Sequence, residues 1–191
     1  EDVALVAPRY RDKVCVPELI HSYSRAPEHA QYASVQMTMA SGNLVRMSAF
    51  ERVGFFDEPM FIDYVDYEFC LRLRRYGYKI IEAQLAILDH RCGNRSTHRF
   101  FGKIVRTTNY PPIRRYYNAR SRIVVYKRYW LVEPRWVIRD LFAFLGRDLL
   151  AIVLYERDVA AKFSAIARGI GHGAINKLGR ASWPGAPSKR S

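Results

Sequence analysis

A chain of 191 residues, 49% hydrophobic and 14% aromatic, is long enough to bury a core and too apolar to be a disordered polymer. Its formal charge of +13 lies in the second half: residues 1–90 carry 10 Lys and Arg against 13 Asp and Glu, and residues 91–191 carry 21 against 5. That imbalance calls for an anionic partner: nucleic acid, an acidic lipid surface or a phosphorylated substrate.

Cys15, Cys70 and Cys92 are odd in number and widely spaced, with no zinc-like Cys/His pattern, which favours a reducing cytosolic compartment. Nothing reads as a signal peptide. The run "VALVAP" (3–8) predicts a buried strand stopped by Pro8, and residues 11–31, with Pro17 and Pro27, a loop. "SVQMTMASGNLVRM" (34–47) predicts a strand, a turn at Gly42 and Asn43, and a second short strand. In 48–58 a single helix is expected, with Ser48 and Glu51 as a capping box and Gly54 as its stop.

Next comes "FIDYVDYEFCLRLRRYGYKI" (61–80). On a helical wheel, Val65, Phe69, Leu73 and Tyr76 fall within about 60° of Ile62, which predicts a helix from near Asp63 to Gly77. "YKIIEAQLAILDH" (78–90) suggests two short strands, and 91–110 is polar and basic. A helix follows the Pro pair in 111–129. From Pro134 to about Arg168, Ile138, Leu141, Phe142, Leu145, Leu149, Ile152, Val159, Phe163 and Ile166 predict one long amphipathic helix or two. The longest uncharged runs there, 141–146 and 149–155, fall far short of the roughly 20 apolar residues of a membrane span. The tail, 179–191, is expected to be disordered.

Asp63, Asp66 and Glu68 crowd the start of the predicted helix. One reading makes Asp63 its cap and Asp66 a favourable charge at the positive end of the dipole. The other starts from the wheel, where Asp66 lies about 40° from Ile62, on the buried side. There desolvation raises a carboxyl's pKa while the dipole lowers it, leaving a poised general base. Asp66 and Glu68 as a joint metal pair is rejected, because residues i and i+2 of a helix point about 200° apart.

The ordered series Ser41-Gly42-Asn43-Leu44, a short helix, Val53-Gly54-Phe55-Phe56-Asp57-Glu58, the acidic helix start, Cys70-Leu71-Arg72 and Gly77-Tyr78 resembles the second half of a family-2 glycosyltransferase catalytic domain. "FIDYVDYE" and "PPIRRYYNARSRIVVYKRY" are similar to the bacterial rhamnosyltransferase branch, and the resemblance covers about residues 3 to 130. It implies an α/β, partial Rossmann-like domain of the GT-A type, followed by a basic, mainly helical extension. The expected divisions are 1–110, 111–178 and 179–191. It also implies an inverting mechanism with Asp66 as the catalytic base, Val65 standing where the family often has Glu. Ser41, Gly42, Asn43, Asp63, Glu68 and Arg72 would lie at the substrate, and His90 would help hold a metal–diphosphate. The departure is the family's Asp-x-Asp and nucleotide pocket, which would precede "VALVAP"; we expect a fragment with the acceptor half and without the donor half.

On this resemblance the partners are a nucleotide-sugar donor such as dTDP-rhamnose, a glycan or lipid-linked acceptor, and a divalent metal (Mg or Mn) in the complete enzyme. A second copy of the chain is a further candidate, and the expected location is the inner face of the membrane, as a peripheral protein. Arg114, Arg115, Tyr116, Tyr117 and Arg120 leave three readings open: a solvated helix face, a nucleic-acid patch, or a lipid-facing surface beside the amphipathic segment. The rival to catalysis is a basic module that binds membrane or nucleic acid, with nucleic acid the less favoured.

Overall fold

The structure, a computed structural model, describes residues 2–11, 30–90, 96–100 and 103–182. The fold is mixed α/β. Strands β1 (Val3–Arg11), β2 (Tyr32–Val35), β3 (Leu44–Val45) and β4 (Lys79–Asp89) form one sheet in the order β2-β4-β1-β3. β1 and β4 run parallel, and the outer strands pair antiparallel. Ala4, Leu5, Ala7 and Tyr10 of β1 are all buried, as suits a strand covered on both faces. The crossover from β1 to β4 carries helices α1 (Met47–Val53) and α2 (Val65–Arg75). Cys15 and Cys92 lie outside the described residues, as does most of the expected 11–31 loop; Cys70 is buried.

Several local expectations are corrected. Arg46 caps α1, so Ser48 falls inside the helix and the capping box does not form. Gly54 does end it, at φ +85°, with its N–H on the Phe50 carbonyl. α2 begins at Val65 because Phe61, Asp63 and Tyr64 have φ of 71°, 59° and 62°, outside the helical region, so Asp63 does not cap it. β4 is one strand. Its pairing jumps from Pro8↔Ala83 to Arg9↔Ile87, so residues 84–86 bulge away from β1 where two strands were expected. Strands β5 (Ser96–Phe100) and β6 (Lys103–Thr107) form an antiparallel pair in the polar stretch where no element was expected.

The remaining chain is helical: α3 (Pro112–Tyr129), α4 (Pro134–Ala143), a π turn (Phe144–Asp148), α5 (Leu149–Tyr155) and α6 (Val159–Ala174). Val125 and Tyr129 of α3, with Trp136 and Val137 of α4, share one core with Leu5, Phe69, Leu71 and Ile80. α6 packs on α3 at very short range. A Cβ on Gly169 would stand 2.4 Å from the Tyr116 carbonyl oxygen, and one on Gly173 2.6 Å from that of Arg120. Residues 179–182 are ordered, against expectation. The Gly179 N–H donates to Pro59, its carbonyl accepts from Arg120 Nη1 at 2.7 Å, and the Ala181 N–H donates to the Tyr117 hydroxyl. Residues 183–191 lie outside the described set.

Candidate active site

A cleft of about 780 Å³ opens between the start of α2, the end of β2 with the residues up to 39, the first turns of α3, and α4. Asp66 stands on its wall with Asp63, Tyr64, Tyr67, Tyr110, Arg114 and Trp136; Arg139, Asp140 and Arg147 line the side made by α4 and the π turn. Aromatic rings beside a carboxylate suit a ligand with apolar CH faces and hydroxyl edges, such as a sugar.

Burial pushes the Asp66 carboxyl up to about 6, and the nearby Asp63 charge adds to the rise. Backbone N–H groups of Tyr67, at 3.0 Å, and of Ala40 oppose it by donating to the carboxylate. A value of about 6 leaves the group about nine-tenths ionised at pH 7, yet far more basic than an exposed aspartate. The Ala40 contact also ties the helix start to the turn before β3.

That helix start is conformationally unusual. Left-handed backbone at Phe61, Asp63 and Tyr64 costs of order 1–3 kcal/mol per residue and persists only when its surroundings enforce it. α3 does so. Arg120 Nη2 donates to the Met60 carbonyl at 3.0 Å, and the Ser121 hydroxyl is 3.3 Å from the Ile62 carbonyl. Arg114 pairs with Asp63 at 3.1 Å and lies 3.9 Å over the Tyr110 ring. The Tyr64 hydroxyl donates to Asp140 Oδ2 at 2.7 Å, where Tyr126 and Arg122 also converge. The strained segment is thereby held open toward the cleft.

The sequence-derived residues separate into three groups. Asp63 and Asp66 share the cleft. Ser41, Gly42 and Asn43 form a turn beside it, ordered by the buried Tyr10 hydroxyl, which is 2.9 Å from the Ser41 carbonyl and 3.1 Å from Asn43 Oδ1. Gly42 has φ +73°, and a Cβ there would meet Leu88 at 2.9 Å, so the turn needs glycine. His90 Nε2 is 3.1 Å from Ser41 Oγ, and its ring meets that of Tyr10 edge-on. Among the described residues no three His, Cys, Asp or Glu side chains gather to hold a metal, and no catalytic step is derived through one.

Glu68 and Arg72 do not join the cleft. Glu68 is buried on the far side of α2, where it accepts from Arg72 at 2.9 Å and from the Tyr129 hydroxyl at 2.9 Å. Arg72 also donates to the Val53 and Phe55 carbonyls. Their geometry is that of a clamp between α1, α2 and α3. Asp66 and Glu68 thus face opposite ways, as their spacing requires.

The basic stretch of α3 is not an outer face. Arg115 is buried against Glu156 at 2.7 Å, Arg120 against backbone carbonyls, and Arg122 against Asp140. These three arginines are turned to the chain's own acids and carbonyls rather than to solvent. Tyr67, Tyr110, Asn118 and Ala143 of the cleft went unrecognised in the sequence. Trp136, Arg139, Asp140 and Arg147 were visible only as parts of an amphipathic pattern.

No protein-family profile matches the chain, and no solved structure matches it. Over 92 residues, 48% of this chain, it is 35% identical to the dTDP-rhamnosyl transferase RfbF of Shigella flexneri. The matched stretch spans 30% of that protein's length. The chain is therefore similar, over about half its length, to a glycosyltransferase.

Proposed function

We propose that this chain is the acceptor-side part of an inverting, GT-A-type family-2 glycosyltransferase that moves rhamnose from dTDP-rhamnose to a glycan or lipid-linked acceptor. The observation that carries this reading is Asp66: a carboxylate raised to about 6 by burial, at a rigid helix start, on the wall of an aromatic cleft. The acceptor hydroxyl gives its proton to an Asp66 carboxylate oxygen. Its oxygen then bonds the anomeric carbon from the face opposite the leaving group, and the bond to the nucleoside diphosphate breaks with its electron pair on the diphosphate. The similarity to a rhamnosyl transferase supports the choice of donor.

The test is transfer of labelled rhamnose from dTDP-rhamnose by the complete enzyme, with and without Asp66→Asn. The expected loss of kcat is 10²–10⁴-fold with the fold retained, roughly what a general base supplies. In the unsubstituted enzyme kcat/KM should rise with pH through about 6, as the base ionises. Near-normal turnover by a folded variant would rule out Asp66. The 191-residue chain by itself should bind dTDP-rhamnose weakly. A low-micromolar dissociation constant by calorimetry would put the donor pocket within these residues.

A further inference from the structure

Residues 134–155 run as one nearly continuous helical rod: α4, the π turn and α5. Its inner side carries Trp136, Val137, Phe144, Ala151 and Ile152 into the protein. Its outer side exposes Ile138, Phe142, Leu145, Leu150, Val153 and Leu154, with Phe142 at 69%. A straight α-helix would drift out of this alignment. The π turn takes up about one extra residue, which turns Ile152 inward and brings Leu150 and Val153 back into line with Ile138 and Phe142.

The charges on the rod are sorted as well. Both acids between 134 and 155 reach Arg122, Asp140 at 3.1 Å and Asp148 at 3.5 Å, although Asp148 is shared with Arg147 at 3.0 Å. The outer side keeps Arg135, Arg139 and Arg147. Arg139 donates to a neutral amide oxygen, that of Gln36, and Arg147 is 67% exposed although it reaches Asp148. The turn before the rod adds Trp130 and Leu131, the latter 90% exposed. Outward, the rod is apolar and cationic. No helix among the described residues is long and apolar enough to cross a membrane.

We propose that this outer face docks, without insertion across the bilayer, on an anionic lipid surface. The charge pattern decides for lipid. A face that met a second copy of itself about a twofold axis would set its arginines against a surface of further arginines and apolar side chains. An anionic headgroup layer receives both the arginines and the apolar residues between them. Arg139 and Arg147 also line the Asp66 cleft, so docking brings the cleft mouth to the headgroups. On the glycosyl-transfer reading, which this last step rests on, the acceptor is then a lipid-borne hydroxyl. The docking itself does not depend on that reading.

Flotation of the 191-residue chain with phosphatidylglycerol-containing vesicles, and with pure phosphatidylcholine vesicles, tests it without any enzyme assay. Retention is expected on the anionic vesicles, weakened by salt and released by alkaline carbonate. Arg139→Gln with Arg147→Gln should weaken it roughly 25-fold, about fivefold for each cation near the surface. Phe142→Asp, at an exposed position, should abolish it while leaving the circular dichroism unchanged. Failure to float on anionic vesicles overturns the proposal, as does resistance to carbonate. So does a lipid-free dimer, seen by analytical ultracentrifugation, that Phe142→Asp dissociates, or salt-sensitive duplex binding that Phe142→Asp leaves intact.

Discussion

Replacing Asp66 by Asn should make the protein more stable, and by more as the pH rises. Burial lifts the carboxyl from its ordinary 3.8 to about 6. A group whose folded pKa is raised favours the folded state fully below its unfolded value, and that contribution is lost as pH climbs through the folded one. Ionised Asp66 therefore costs about 3 kcal/mol at pH 8 and about 1 kcal/mol at pH 4.5. Asn carries no charge to desolvate, and its side-chain oxygen can still accept from Tyr67 and Ala40. The variant should thus gain up to about 3 kcal/mol at pH 8, with an advantage about 2 kcal/mol smaller at pH 4.5. At roughly 2–4 °C per kcal/mol for a chain of this size, thermal melts at the two pH values resolve the difference. A helix-capping role for Asp66 predicts the reverse, since removal of the negative charge would then weaken the N-terminus of α2. A variant less stable than the parent at pH 8, or an equal advantage at both pH values, would refute the reasoning.

Gly173→Ala should destabilise by about 1–3 kcal/mol in urea titrations, because its Cβ would sit 2.6 Å from the Arg120 carbonyl oxygen. Gly171→Ala, with nothing within 4 Å of its Cβ, should be neutral or stabilising. Glu156→Ala should cost about 3–5 kcal/mol, because it strands the buried Arg115 and Lys162 that Glu156 holds at 2.7 and 2.9 Å. These cations and the Asn109 N–H hold the Glu156 carboxyl below its ordinary 4.5 despite burial, so its contribution is present above 4.5 and fades as pH falls through the lower folded value. The buried Cys70 thiol, pushed up to about 12, should escape iodoacetamide at pH 8 in the folded protein; its peptide would appear unlabelled by mass spectrometry, and rapid alkylation would contradict the packing around it.

Much of the fold was legible locally. The 3.6-residue recurrence of Phe69 and Leu73 announced α2, the Pro pair at 111–112 opened α3, and the apolar run at 3–8 announced β1. Asp66 stood out because its wheel position lies on the apolar side. Where local signals failed, backbone geometry or a distant partner had intervened. Ser48 looked like a cap, yet the helix began one residue earlier. Asp63 looked like a cap until α3 held Phe61, Asp63 and Tyr64 in left-handed backbone.

Composition and spacing alone pointed to strands followed by a basic helical second half, a carboxylate at a helix start, and apolar runs in 134–168 too short to span a membrane, while the α/β class came with the family resemblance. Only the tertiary structure decided what those charges do. Arg114, Arg115 and Arg120 read as a cationic surface in one dimension, but each found a carboxylate or a set of carbonyls far along the chain. Burying an unpaired guanidinium is far more costly than burying a paired one, so the chain's own anions and loops claimed these residues. Arg139 and Arg147 took the opposite course: Asp140 pairs with Arg122, Asp148 is shared between Arg122 and Arg147, and both guanidiniums stay at the surface. Sequence spacing sets which residues share a helix face, but the partner across the core sets which face is buried.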